Sequence, residues 1–316
     1  MKIVIPGGTG HIGRFLTPAL RAAGHTVVVI ARSDGVVWDG RTLGPWAAEI
    51  DGADAVINLA GRSVSCRYTD AHLREMMSSR IDSTRVIGEA IACADKPPSV
   101  WLQMSTATIY AHRFDAPNDE ATGIIGGHEP DVPAYWAYSV DIAKAWEHTQ
   151  EEAVVPGTRK VALRTAITMS PGRGGPFSHL YRMARLGIGG PVAGGRQFVS
   201  WIHEVDLVAA VEFLLGSDLT GPVNLAAPAP LPHREFMREL RKAAKVPFGI
   251  PSTAWMAEIG AFVIRTDTEL LLKSRRVIPG RLLDAGFSFT YPEWPKAAAD
   301  LVRRYRSRTW TPAGVS

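Results

Sequence analysis

Short apolar runs and longer amphipathic runs alternate along the first half of the chain. KIVIP at Lys2–Pro6, TVVVIA at Thr26–Ala31, DAVINLAG at Asp54–Gly61, VWLQMSTA at Val100–Ala107 and KVALRTA at Lys160–Ala166 are brief and rich in β-branched residues. Such continuous runs suit strands buried on both faces. Between them, HIGRFLTPALRAAG, DAHLREMMSSRIDSTRVIGEAIACA and YWAYSVDIAKAWEHTQEEA place apolar residues at helical spacing. The alternation predicts an α/β fold with a doubly wound parallel sheet. After Thr165 the pattern changes. MSPGRGGPFSHLYRMARLGIGGPVAGGRQ reads as Gly- and Pro-rich loops around one short helix, HEVDLVAAVEFLLG as a helix and GPVNLAA as a last strand. From LPHREFMRELRKAAK onward the reading is mostly helical, a smaller lobe facing the strand ends where open α/β sheets bind ligands. The expected division is a nucleotide-binding domain over 1–168, completed by about 201–228, and a substrate lobe over 169–200 and 229–316.

Composition narrows the class. The chain has 316 residues, 46% hydrophobic and 21% charged, with a formal charge of +4, ordinary for a globular protein. Its basic residues are scattered, so neither nucleic acid nor a membrane is an expected partner. No uninterrupted apolar run reaches spanning length. The opening MKIVIPGGTG goes directly into strand and lacks the pattern of a signal peptide. Cys66 and Cys93 fit two reduced thiols, and the nine histidines lack metal-ligand spacing, so the expectation is a cytoplasmic protein without metal.

The chemistry begins at PGGTGHIG. Gly7, Gly10 and Gly13 lie between the first strand and the first helix, where glycines let backbone N–H groups approach a pyrophosphate. Such a turn places Gly7, Gly10, His11, Ile12 and Gly13 at a dinucleotide. The second strand ends in IARSDG. NAD enzymes of this architecture usually carry an acid there, whereas Arg32 and Ser33 suit a 2′-phosphate, so NADP is the expected cofactor. INLAG ends the third of these strands and sets Leu59, Ala60 and Gly61 beside the adenine and ribose.

Together these motifs resemble the extended short-chain dehydrogenase/reductase superfamily, a Rossmann-type fold. They are most similar to its atypical branch of "epimerase family" proteins, with that branch's C-terminal domain of unknown function. The resemblance is carried by GGTGHIGRFL, INLAG, SSRIDST, WE, LRTAITMSPGRGG, LGIGGPVAGGRQFVSWIHEVDL, GPVNLAAP and KSRRVIPGRLLDAGFSFTYPE. It implies bound NADP(H), with Arg32 and Ser33 on the 2′-phosphate and Leu59 and Ala60 near ribose and adenine. It also implies Glu75 and Arg80 near the cofactor, although spacing alone reads these two as a solvated helix face.

In that superfamily a strand-end Ser or Thr, a tyrosine and a lysine form the catalytic set. Here Thr106 fits the hydroxyl position and Lys144 the lysine, but the residue four before Lys144 is Val140. Tyr138 and Tyr135 lie about 240° and 180° around a helix from Lys144, so neither replaces the lost phenol. Lys144 fits either a ribose contact or a surface helix lysine. The remaining proton sources are Tyr110, His203 and water. His203 stands three residues before Asp206, as a tuned acid or as a helix cap docking the lobes. Trp201 fits a pocket wall or a tryptophan buried between lobes, and Arg196 and Gln197 form a polar loop suited to an anion. The expected activity is an NADP(H)-dependent oxidoreduction of a small carbonyl-type substrate. A nucleotide-sugar epimerase or dehydratase ranks lower, because those reactions need the tyrosine. A non-catalytic NADP-binding regulator is the rival outside enzymology, since some relatives are linked to division of cells or plastids. A homodimer is left open.

Overall fold

The structure is a computed structural model that describes residues 1–64, 66, 69–127, 129–130, 132–133, 135–172, 174–253 and 269–307. Six strands build most of the central sheet in chain order: β1 (Lys2–Pro6), β2 (Thr26–Ala31), β3 (Val36–Val37), β4 (Ala55–Asn58), β5 (Val100–Thr106) and β6 (Arg159–Thr165). Four short strands and one more sheet strand follow as β7 (Ile167–Met169), β8 (Phe198–Val199), β9 (Trp201–His203), β10 (Gly221–Leu225) and β11 (Leu231–Pro232). The seven-stranded sheet has the order β10-β6-β5-β4-β1-β2-β3, and every pairing in it is parallel. The chain order reverses direction between β1 and β4, which opens the crevice where such sheets bind nucleotides.

Alternation along the strands fills two layers. Ile3 and Ile5 face a core shared with Phe15, Leu16 and Leu20 of α1 (Gly13–Ala22) and with Leu207 and Val211 further along the chain. Val4 faces the opposite layer, with Val86, Ile87 and Ile91 of α2 (Asp70–Ala92). Thr69 caps α2 by accepting from the His72 N–H at 3.3 Å, which satisfies one of the orphan donors of the first turn. The next helix, α3 (Trp136–Glu152), packs against α2 and the β5–β6 ends.

The second core belongs to the small lobe. Phe177 and Tyr181 of α4 (Pro176–Arg185) join Trp201, then Phe236, Met237 and Leu240 of α6 (His233–Ala244), and Trp294 and Leu301 of the terminal helix Trp294–Ser307. Trp294 stacks on Phe236 at 4.0 Å between centroids and donates its indole N–H to the Phe236 carbonyl. Trp201 is thus fully buried, in the core it shares with Trp294. The strand pairs β7–β9 and β8–β11 lie at the junction and were not foreseen. α5 (Glu204–Gly216) returns the chain to the large sheet. The mostly helical reading of the C-terminal region is met over the described parts. Its portions at 254–268 and 308–316 lie outside the described residues.

Candidate functional site

The phosphate turn is built by close approach. Gly7 has φ +77°, and a Cβ there would stand 2.6 Å from the Ala60 nitrogen. A Cβ on Gly13 would sit 2.0 Å from the Gly8 carbonyl oxygen. These two glycines let the turn, the β4 end and the helix start share one space. Gly10 differs, since its nearest obstacle is the Gly7 oxygen at 3.2 Å. A side chain at Gly10 would project over the helix start, where the first-turn N–H groups lack intrahelical acceptors. His11 and Ile12 complete the turn. His11 packs beneath Gly175, whose Cβ would come within 2.4 Å of its ring, and a backbone group of Thr168 lies against it. Burial, then the charge of Arg14, lowers its pKa below the ordinary imidazole value. Its Nε2 is buried without a hydrogen-bond partner among the described residues. A buried Nε2 without a partner beside an open glycine cradle fits a dinucleotide pyrophosphate.

The strand ends supply the rest of the groove. Arg32 and Ser33 are exposed past β2, and the Ser33 hydroxyl reaches Asp34 at 3.4 Å. The Ala60 N–H donates to Asn58 Oδ1 at 3.0 Å, which fixes the β4 exit beside Leu59. Arg62, absent from the sequence reading, pairs with Glu75 of α2. That contact is the main cause holding the Glu75 carboxyl below its usual range, and the nearby charge of Arg32 adds to it. Two guanidinium groups, from the β2 and β4 ends, therefore flank one carboxylate. An arginine directly after INLAG was the available signal. Arg80 supports this loop from below. Its guanidinium donates to the Met76 and Arg62 carbonyls, stacks over Trp146 at 4.8 Å, and underlies Gly61.

The proposed proton carriers are placed differently from expectation. Tyr110 is 2% exposed. Its hydroxyl donates to Asn224 Oδ1 at 2.9 Å and accepts from Arg164 at 2.9 Å. Burial raises its pKa against the lowering effect of Arg164. Tyr110 is a core tie among β6, β10 and the turn after β5, and is removed from the candidate acids. His203 is also removed, because it is committed to capping α5 and to Asp300. Its Nδ1 accepts from the Val205 N–H at 3.2 Å, capping α5, which leaves the proton on Nε2, 3.3 Å from Asp300. Burial lowers its pKa despite that carboxylate. Asp206 does not bind it, accepting instead from the Thr290 and Tyr291 N–H groups at 2.7 and 3.0 Å.

Thr106 ends β5, and its hydroxyl accepts from the Thr108 N–H at 3.2 Å. Val140 is 1% exposed and packs towards Gly127. Lys144 follows on the same row of α3, with Nζ 3.6 Å from where a Gly127 Cβ would lie. No hydrogen bond or ion pair engages that ammonium among the described residues. The row facing the strands is the adjacent one. Glu147 accepts from Ser105 at 2.5 Å and takes Arg164 Nε and Nη2 at 2.9 and 2.8 Å. Stepping back by four residues puts Ala143 and Ser139 on that face. Ala143 is buried with Ala107 and Ile109, and Ser139 donates to Glu269 at 2.6 Å. Among the described residues no group of three or more His, Cys, Asp or Glu side chains could hold a metal ion. No helix among them is long and apolar enough to cross a membrane.

Comparisons with known proteins fit this geometry. A family profile described as "NAD dependent epimerase/dehydratase family" matches residues 3–226, and a "domain of unknown function" profile, DUF1731, matches 253–301. "Epimerase family protein SDR39U1" of Bos taurus is 33% identical over 312 residues, covering 96% of this chain and 100% of its own. "Epimerase family protein YfhF" of Bacillus subtilis is 26% identical, covering 96% and 98%. The crystal structure of human SDR39U1 (isoform 2) with NADPH superposes with a TM-score of 0.82 at 28% identity, covering 96% of this chain and 99% of that one.

Proposed function

The chain belongs to the NAD dependent epimerase/dehydratase family, and from that premise we propose that it is an NADPH-dependent reductase of small carbonyl compounds. One observation carries the cofactor choice: Arg32 stands at the end of β2, where an NAD enzyme would present an acid, and with Arg62 it flanks Glu75. The human SDR39U1 structure with NADPH supports the same reading. Gly10, His11 and Ile12 hold the pyrophosphate by backbone donors, Leu59 and Ala60 bound the ribose, and Arg32 with Ser33 takes the 2′-phosphate. Glu75 then trades part of its pairing with Arg62 for the ribose. When bound, NADPH supplies the hydride.

The carbonyl sits at Thr106, whose hydroxyl polarises the oxygen. Reduction is favoured over epimerisation by a difference in proton demand. An epimerase must first pull a proton from an alcohol, which needs a strong, positioned base. A reductase only delivers a proton to an oxygen that is becoming strongly basic. With Tyr110 committed to the core and Val140 at the tyrosine position, the second demand is the one this chain meets. The test is NADPH binding, then oxidation of bound NADPH against a panel of aldehydes, ketones and imines. The reading fails if NADPH does not bind, or if it binds no better than NADH.

A further inference from the structure

Val140 leaves the question of which group delivers that proton. The strand-facing row of α3 points to it. Ser139 lies on this row, beyond the β5 end, and donates to Glu269 Oε2 at 2.6 Å. Glu269 Oε1 stands 3.5 Å from Lys273 Nζ. Lys273 in turn donates to the Thr108 carbonyl at 2.9 Å, and Thr108 is the residue whose N–H caps the Thr106 hydroxyl. A cation from the C-terminal segment therefore reaches the turn that follows Thr106. It arrives where the helix presents a serine and an alanine. Lys273 also lines a small, partly open cavity at the lobe junction with Ile167, Phe198, Ser200, His233 and Arg275. Its side chain is 1% exposed, as is that of Glu269.

We propose that Lys273 is the catalytic acid of this chain, held by Glu269 and Ser139 in place of the missing tyrosine. This rests on the reductase reading above. Lys273 gives one ammonium proton to the carbonyl oxygen while the carbonyl carbon receives the hydride of NADPH. The products are the alcohol, NADP and a neutral amine, which regains its proton from solvent after release. The electrostatic setting suits the task. Burial brings the ammonium pKa down to about 8, with Glu269 and Glu129 opposing and Arg275 assisting. His112 on the neighbouring loop and His233 across the cavity are both lowered by burial. An amine poised near neutrality gives and regains a proton more readily than an exposed lysine.

The test reads Lys273 directly, without needing the natural substrate. Protein carrying ¹⁵N,¹³C-lysine is titrated by NMR with saturating NADPH and again with NADP, and the Lys273 Nζ signal is assigned by its loss in Lys273→Met. The oxidised nicotinamide ring is positive, so its charge beside the ammonium lowers the midpoint by about one unit relative to NADPH. Equal midpoints in the two redox states overturn the proposal and leave the reductase reading intact. Failure of both cofactors to bind overturns the reductase reading, and Lys273 falls with it. On any carbonyl that is reduced, Lys273→Met and Lys273→Arg lose about a hundredfold or more in rate with NADPH affinity unchanged. Retention of full rate by either folded variant also overturns it. Where Lys273→Met fails to fold because Glu269 loses one of its two cations, Glu269→Gln/Lys273→Met serves for assignment and rate.

Discussion

Ser105 and Glu147 meet across 2.5 Å, and this contact sets the rotation of α3 against the sheet. Glu147 also takes two donors of Arg164, so one carboxylate joins β5, β6 and the helix. Because the contact fixes which row of the helix meets the strand ends, it also separates Lys144 from the row that carries Ser139.

Removing that carboxylate strands a buried guanidinium. Burial disfavours the Arg164 charge, and Glu147 overcomes that penalty and raises its pKa. Glu147→Ala is expected to cost about 3–5 kcal/mol in urea unfolding. The double variant Glu147→Ala/Arg164→Met should recover part of the loss. A single-variant cost below about 1 kcal/mol, the range of surface pairs, would remove the pair from the framework.

Cofactor selection rests on Arg32. Arg32→Ala loses a charge-assisted contact of about 1.5–3 kcal/mol, roughly ten- to a hundredfold in NADPH affinity. NADH affinity should stay unchanged. Parallel fluorescence titrations of both cofactors decide it, and an equal loss for both would mean Arg32 shapes the groove without reading the phosphate.

The glycines of the turn should fail in different ways. Gly10→Val meets only the Gly7 oxygen and should fold with at most a slightly lowered melting temperature, yet show no NADPH-induced stabilisation. Gly7→Val places a side chain at positive φ against the Ala60 backbone and should lower the melting temperature even without ligand. Both are read in one thermal-shift experiment. A full NADPH shift in Gly10→Val would remove the pyrophosphate from this turn.

Acid should weaken the small lobe through His233. Burial, then the charge of Arg241, brings its pKa down to about 4. The unfolded chain takes up this proton near pH 6.5 and the folded chain only near 4. Stability is therefore full above pH 6.5, falls as pH drops through the interval, and levels below 4. The loss is of order 3 kcal/mol. Comparing wild type with His233→Gln isolates the contribution, since other groups titrate in both. Equal slopes between pH 6.5 and 4 would show that the ring is solvated.

The fold was legible where periodicity is strong. TVVVIA and VWLQMSTA became β2 and β5 because a strand covered on both faces must be apolar throughout. The glycine turn was legible because close approach leaves no alternative residue. Edge strand β3 was missed, since two residues carry no period. The pairs β7–β9 and β8–β11 were missed because they join segments far apart in sequence. Tyr110 and His203 misled for a shared reason. Motif position shows that a polar side chain is near the strand ends, but its partners decide whether it is free to react. Those partners, Asn224 and Asp300, lie 114 and 97 residues away. Lys273 was invisible for the converse reason, because nothing local marks a lysine as buried.

The bond between Glu204 and Arg304 spans 100 residues, and the His203–Asp300 contact lies beside it. The start of α5 is thus secured by a helix synthesised 100 residues later. During synthesis the first six strands can find neighbours as they appear, whereas Glu204 gains Arg304 only once that later helix arrives. Closing so long a loop is slow, because its entropy is lost before any contact rewards it. The Glu204–Arg304 bond is therefore one of the contacts that forms late. A chain cut before Trp294 would leave the Glu204 carboxylate without Arg304 and uncover the aromatic faces of Trp201 and Phe236, apolar surface that favours aggregation and proteolysis.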